Sequence, residues 1–229
     1  MSVFFTRRGK APVIFDATFA NNSWKAIIAA CQSGNVPDSW AVGNSKTMTI
    51  NGASYQVDII GKNHDTYASG GKAPLTFQLH DCYGETKNMN SSNTNSGGWT
   101  SCAMRSTHLP AILALMPTEV QNGIREVNKI TSAGSQSATI NTTADKLFLL
   151  SEIEIFGSVS YSKSGEGTQY DYYKAGNSKV KKYNGSARSW WERSPDGSDS
   201  AYFCYVSSGG IVDGGTASYA DGVAFGFCF

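Results

Sequence analysis

The chain has 229 residues, a formal net charge of +1 and a hydrophobic content of 40%. That length suits one large domain or two small ones, and because no linker divides it, one domain is expected. The near-neutral balance supplies no field that would steer the chain to nucleic acid or to an anionic membrane, so neither partner is expected. Glycine is plentiful, at 24 residues, and tyrosine and phenylalanine contribute 11 each. This composition predicts short strands and long ordered loops rather than a helical bundle.

At the N-terminus, Met1 to Arg8 puts a short apolar patch before its charges and lacks the long apolar stretch of a secretory signal. No window approaches the length of a membrane span. The expectation is a soluble chain made in a cytoplasm, with export only by a route such as assembly into a virus particle. Residues 1–22 carry no periodicity and read as an extended arm. Ser23 is placed as an N-cap, Trp24, Ile27, Ile28 and Cys31 follow at helical spacing, and Gly34 closes the helix. Lys46 to Ile50 and Ser54 to Ile60 flank Asn51-Gly52, a hairpin signal, and Leu75 to Leu79 reads as a third strand.

Asn88 to Gly98 is a polar loop. A helix capped by Thr100 and bent or interrupted at Pro110 is expected next, then a short helix from Pro117 and a strand over Ile124 to Thr131. Glu152 and Glu154 alternate on a strand or loop that opens a Ser/Gly/Tyr/Lys-rich region. Trp190-Trp191 lies at the centre of an expected central strand, Arg188 to Arg193. Short strands follow at Tyr202 to Val206, Gly210 to Asp213 and Gly222 to Cys228.

Catalytic signatures are sparse. There is no G-x-S-x-G elbow, no H-E-x-x-H pair and no P-loop. His64, His80 and His108 fall in different predicted elements. His64-Asp65 can be read as an acid–base pair or as a loop hydrogen bond, and Glu152 with Glu154 as a glycosidase-type carboxylate pair. Lys174, Lys179, Lys181 and Lys182 form a basic run among tyrosines that reads as a solvated loop or subunit contact rather than a nucleic-acid surface. Cys31, Cys82, Cys102, Cys204 and Cys228 are odd in number, scattered and without a C-x-x-C step. They read as buried thiols rather than disulfides or zinc ligands. No catalytic residue, metal or cofactor is assigned.

From Ser194 to Phe229 the chain uses no Lys, Arg, Glu, Gln, Met, Trp, Asn, His or Leu. Ser, Gly, Asp, Ala, Tyr, Val and Phe dominate instead. That alphabet suits a recognition surface: tyrosine gives wide contact at low entropy cost, and Ser, Gly and Asp give adaptable polar contacts. It also suits turns at the end of a β-rich core. Codons ending in a pyrimidine cannot encode Lys, Glu, Gln, Met or Trp, so a segment diversified at such codons would share this alphabet. Asp196, Asp199, Asp213 and Asp221 have no cation beside them in sequence.

Trp190-Trp191-Glu192-Arg193-Ser194-Pro195, followed by Gly222 to Cys228, resembles the W-W-x-R-S-P motif and terminal strand of a bacterial and phage domain family of unassigned function. Trp40 to Gly43, Thr49 to Tyr55, Asn93 to Trp99, Met104-Arg105 and Asp145 to Gly157 extend the resemblance over residues 23–229. The layout also resembles the C-type-lectin fold of formylglycine-generating enzymes and of the variable proteins of diversity-generating retroelements. The resemblance implies an α+β, C-type-lectin-like domain over 23–229 with a display region at 194–229. It implies scaffold positions at Trp190, Trp191, Arg193, Phe203, Val206, Val223, Phe225 and Phe227. Implied display positions are Asp196, Asp199, Ser200, Tyr202, Tyr205, Ser207, Ile211, Asp213, Thr216, Ser218, Tyr219 and Asp221.

A protein or glycan receptor on a target cell would be the partner, and the carrier a phage tail or a bacterial surface or cytoplasm; tail adhesins of this type are commonly homo-oligomeric. The E-P-N and W-N-D motifs of sugar-binding C-type lectins and the paired catalytic cysteines of formylglycine-generating enzymes have no counterpart here. Two alternatives stand: an enzyme of the formylglycine-generating or glycosidase type, and a structural virion protein.

Overall fold

A computed structural model of the chain describes residues 15–229. Residues 1–14 of the expected arm lie outside the described residues. Residues 15–22 belong to the domain rather than to an arm. A single 3-10 turn, Phe19–Asn21, drives Phe19 into the core, where its ring centroid lies 5.4 Å from Trp40 and 6.1 Å from Phe77.

Helix α1 (Trp24–Ser33) starts where Ser23 accepts a hydrogen bond from the Ala26 N–H and ends at Gly34, whose φ of 71° is left-handed. Strands β1 (Ser45–Ile50) and β2 (Ala53–Lys62) form the expected hairpin. Asn51 and Gly52 both take positive φ, 48° and 78°, as a type I′ turn requires. β3 (Leu75–Leu79) is buried at every position and pairs with β2 across a bulge between Ile59 and Gly61.

The expected helix around Pro110 is interrupted before the proline and has three segments. These are α2 (Gly98–Ser101), a π-helical turn at Met104–His108, and α3 (Leu109–Leu113) with Pro110 in its first turn. His108 and Leu109 are both right-handed helical and the Leu109 N–H donates to the Met104 carbonyl, so the π-turn runs on into α3 and through Pro110; the break lies at Cys102, whose backbone is extended. α4 (Thr118–Gly123) is followed by the hairpin β4 (Val127–Ser132) and β5 (Ile140–Asp145).

Glu152–Phe156 is a helix, α5, not the strand or loop expected from its alternation. Ser151 and Glu154 make a reciprocal capping box, and Gly157 closes it at φ 76°. After α6 (Asp171–Lys174) come the small hairpin β6 (Lys181–Tyr183) and β7 (Ser186–Arg188), then β8 (Trp190–Pro195), β9 (Tyr202–Val206), β10 (Val212–Thr216) and β11 (Gly226–Cys228).

The architecture is mixed α+β with antiparallel strand pairing. The main sheet has the order β1-β2-β3-β11, so the C-terminal strand closes on the N-terminal half of the chain. There Phe227 stacks on Phe77 at 5.3 Å, and Trp24 of α1 packs on Phe77 and Phe229 at 6.0 Å each. The second sheet has the order β10-β9-β8. The Trp190-Trp191 strand is therefore an edge and β9 the centre, contrary to expectation. It is an edge that is fully buried, because Gly222 bridges Trp190 on its other side. No helix among the described residues is long and apolar enough to cross a membrane.

Candidate functional site

The segment Ser194–Phe229 is built from alternating anchors and open positions. All eight expected scaffold side chains, Trp190, Trp191, Arg193, Phe203, Val206, Val223, Phe225 and Phe227, are fully buried. The indole N–H groups of Trp190 and Trp191 donate to the carbonyls of Lys179 and Lys87 at 2.9 and 2.8 Å, so neither indole leaves an unpaired donor. Between anchors, Tyr202 and Tyr205 of β9 and all five residues of β10 are half-buried.

The positions expected on display divide into two groups at opposite ends of β10, a strand about 17 Å long at ~3.4 Å per residue. At one end is the turn where the Ser207 hydroxyl accepts from the Ile211 N–H. At the other, Asp199 and Ser200 lie beside Thr216, Ser218 and Tyr219, joined by the bond from the Ala217 N–H to the Ala201 carbonyl. The Ser218 hydroxyl there donates to Asn93. Ile211 and Tyr219, at 68% and 67% exposure, stand out among the large apolar side chains; the next, Leu115, is at 43%.

Between the two ends, the Tyr205 hydroxyl donates to Asp213 at 3.0 Å, and burial together with that carboxylate raises the phenol to about 12. Two expectations change. Asp196 is buried at 3% exposure and turns inward, accepting from the N–H groups of Ser198 and Asp199 and from the Ser198 hydroxyl. Asp221 does have a cation, Arg188, at 2.7 Å.

The expected enzyme residues are engaged elsewhere. Glu152 and Glu154 do not form a facing pair. Glu152 accepts from the N–H groups of residues 160–162, while Glu154 accepts from Arg193 and Lys129. Cys204 and Cys228 are fully buried, and burial pushes both thiols well above their ordinary range, so neither is a ready thiolate. All five cysteines are free.

Asp65 bonds Lys129, Thr76 and Tyr170 rather than His64, whose ring stacks on Tyr170 at 3.9 Å. His80 pairs with Asp58 at 2.7 Å and His108 with Asn88 at 3.0 Å. Among the described residues no group of three or more His, Cys, Asp or Glu is arranged to hold a metal. The basic run is broken too. Lys181 is buried and donates to the carbonyls of Leu79 and His80, and burial lowers its ammonium to about 8.

Sequence reasoning missed one feature outright. Lys129, Asp65, Glu154, Arg193 and Tyr170 form a buried network at the junction of β4, α5 and β8. Burial opposes charge on Asp65, but Lys129 and the Thr76 hydroxyl outweigh it and bring the carboxyl down to about 2. Only capping-box spacing at Ser151-Glu154 and the lone Arg193 in an apolar strand hinted at it.

The family model described as "Domain of unknown function (DUF6273)" matches residues 66–228. The chain belongs to this family. The match takes in Lys129, Glu154, Tyr170 and Arg193 of the buried network, starts one residue after Asp65 and ends one residue before the C-terminal Phe229, so nearly all of the Ser194–Phe229 segment is part of the DUF6273 domain. No curated protein and no solved structure matches the chain.

Proposed function

We propose that this DUF6273 protein is a ligand-binding protein with a C-type-lectin-like fold, resembling the variable proteins of diversity-generating retroelements. In this reading the segment Ser194–Phe229 is its recognition surface. The receptor is a protein or glycan on a target cell, and the carrier is a phage tail or a bacterial surface.

The observation that supports the reading most is the placement of Ile211 and Tyr219. Ile211 and Tyr219 are two-thirds exposed, at 68% and 67%, at the two ends of a half-open strand. A partner surface that covers them would gain from both. The restricted alphabet of the segment, free of long flexible side chains, agrees with a contact surface that loses little entropy on binding. The alternative of a formylglycine-generating or glycosidase enzyme is less favoured, because its thiols are buried and its carboxylates are buried and engaged.

The test uses the purified chain beside an Ile211→Ser/Tyr219→Ser variant on a glycan array and on intact bacterial cells. Saturable binding by the parent that the variant loses supports the proposal. Equal binding by both, or no binding on either surface, overturns it. Diversification is tested separately at the locus, which should hold a near-repeat of the coding sequence for 194–229 and a reverse transcriptase gene.

A further inference from the structure

A cleft of about 320 Å3 opens between the His64–Lys72 stretch, β4 and the loop from Gly165 to Thr168. None of its lining residues lies in Ser194–Phe229, so it is separate from the recognition surface proposed above.

The floor of the cleft is electrically closed. Asp65 and Glu154 contribute two negative charges, and Lys129 and Arg193 two positive ones. The Lys129 ammonium is already shared among Asp65 at 2.8 Å, Glu154 at 2.7 Å and the Tyr170 hydroxyl at 3.1 Å. The floor therefore offers an incoming molecule no net charge. Gly167 keeps it open to the cleft. A Cβ at that residue would stand 3.0 Å from a Glu154 carboxylate oxygen, and its φ of 111° is one that a side chain disfavours.

The walls are different. Lys72 is exposed at the rim, donates to the His64 carbonyl at 2.9 Å and forms no ion pair with a described residue. It is the one uncompensated charge among the described residues of the lining. The His64 imidazole is fixed in place by its stack on Tyr170, yet neither ring nitrogen bonds a described protein group. Burial holds its pKa below the ordinary value, so at neutral pH one ring nitrogen donates and the other accepts. The backbone N–H groups of Gly165, Gly167 and Thr168 meet no acceptor among the described residues, and the side-chain amide of Asn128 is likewise unbonded. Unpaired N–H groups lining the same cleft as a lone ammonium favour an anion.

We propose that this cleft binds a small molecule through a carboxylate or phosphate group, with Lys72 as counter-charge and His64, Asn128 and the Gly165–Thr168 backbone as hydrogen-bond donors. The volume, about 320 Å3, lies at the small end of ligand pockets and fits a compact metabolite rather than a polymer.

The test follows the His64 imidazole resonances of the whole chain by NMR at fixed pH and ionic strength, with chloride as the balancing salt. Inorganic phosphate, acetate and glycerol are added in separate titrations. The expected result is a saturable shift of His64 with phosphate or acetate, none with glycerol, and unmoved His80 and His108. Whichever anion saturates identifies the headgroup. Lys72→Met, a rim substitution whose fold is checked by the unliganded spectrum, should weaken that binding roughly ten-fold or more. The proposal is overturned by no saturable shift up to about 50 mM of either anion, by equal affinity in Lys72→Met, or by an equal response to glycerol.

Discussion

Arg193 grips both carboxylate oxygens of Glu154: Nη1 donates to Oε2 and Nη2 to Oε1, the latter at 2.9 Å. Glu154 also accepts from Lys129 at 2.7 Å and from the Ser151 N–H at 3.1 Å. One carboxylate thus joins β8, β4 and the first turn of α5. Burial pushes the Glu154 carboxyl up, but Arg193 and Lys129 outweigh it and hold it below its usual range. Charges this deep are tolerated only because nearly every donor and acceptor is met, down to the Arg193 bonds to the carbonyls of Leu149, Ile130 and Glu166.

Removing one member should therefore cost more than the pair contributes. Glu154→Gln leaves Arg193 without its counter-charge in the interior and is expected to lower unfolding free energy by about 3–5 kcal/mol. The double variant Glu154→Gln/Arg193→Met should lose less than the sum of Glu154→Gln and Arg193→Met, since it leaves no orphaned charge. Urea unfolding of the four proteins measures this. A loss below about 1 kcal/mol in Glu154→Gln would show that the network does not hold the domain together.

Much of the main sheet was legible because its signals are local. Asn51-Gly52 fixes a hairpin, Leu75-Thr76-Phe77-Gln78-Leu79 alternates with the period of a strand, and Ser23 and Gly34 bracket one helix. The anchors of the tail were legible by their size and alternation. The network was not, because Asp65 and Lys129 are 64 residues apart and Lys129 and Tyr170 are 41 apart, and no periodicity links them. α5 was misread because Ile153-Glu154-Ile155 alternates like a strand, while five residues are too few to show a helical period. Asp196 was misplaced for a related reason. An aspartate that folds back on the N–H groups two and three residues ahead looks, in sequence, like any other acidic turn residue.

Glu192 gives the stability a pH slope. It is fully buried, neither carboxylate oxygen has a hydrogen-bond partner among the described residues, and burial followed by the charges of Glu152 and Glu166 raises it well above the ordinary range. The folded state therefore keeps a proton that the unfolded state releases near pH ~4.3. Stability is greatest below that value and falls as pH rises toward the folded pKa, by up to about 1.4 kcal/mol per unit for this one group. Glu192→Gln removes the titration and should flatten the slope, leaving the variant more stable than the parent at pH 7 to 8. Unfolding free energies at pH 5, 6, 7 and 8 decide it, and parallel profiles for parent and variant would refute the assignment.

The last prediction separates the inward from the outward part of the tail. Asp196→Ala removes a buried acceptor that holds the N–H groups of Ser198 and Asp199 at 2.7 and 3.0 Å, so it should cost about 1–3 kcal/mol in unfolding free energy. Ile211→Ser and Tyr219→Ser remove side chains that touch mostly water and should stay within about 0.5 kcal/mol of the parent. A segment that served only the core would show losses at all three positions, because its apolar residues would be there to pack. A segment that alternates anchors with contact positions shows a loss at Asp196 and none at Ile211 or Tyr219. Thermal and urea unfolding of the three single variants distinguish these outcomes before any ligand is identified. A loss above about 1.5 kcal/mol at Ile211 or Tyr219 would return those residues to the core and remove the main support for a recognition surface.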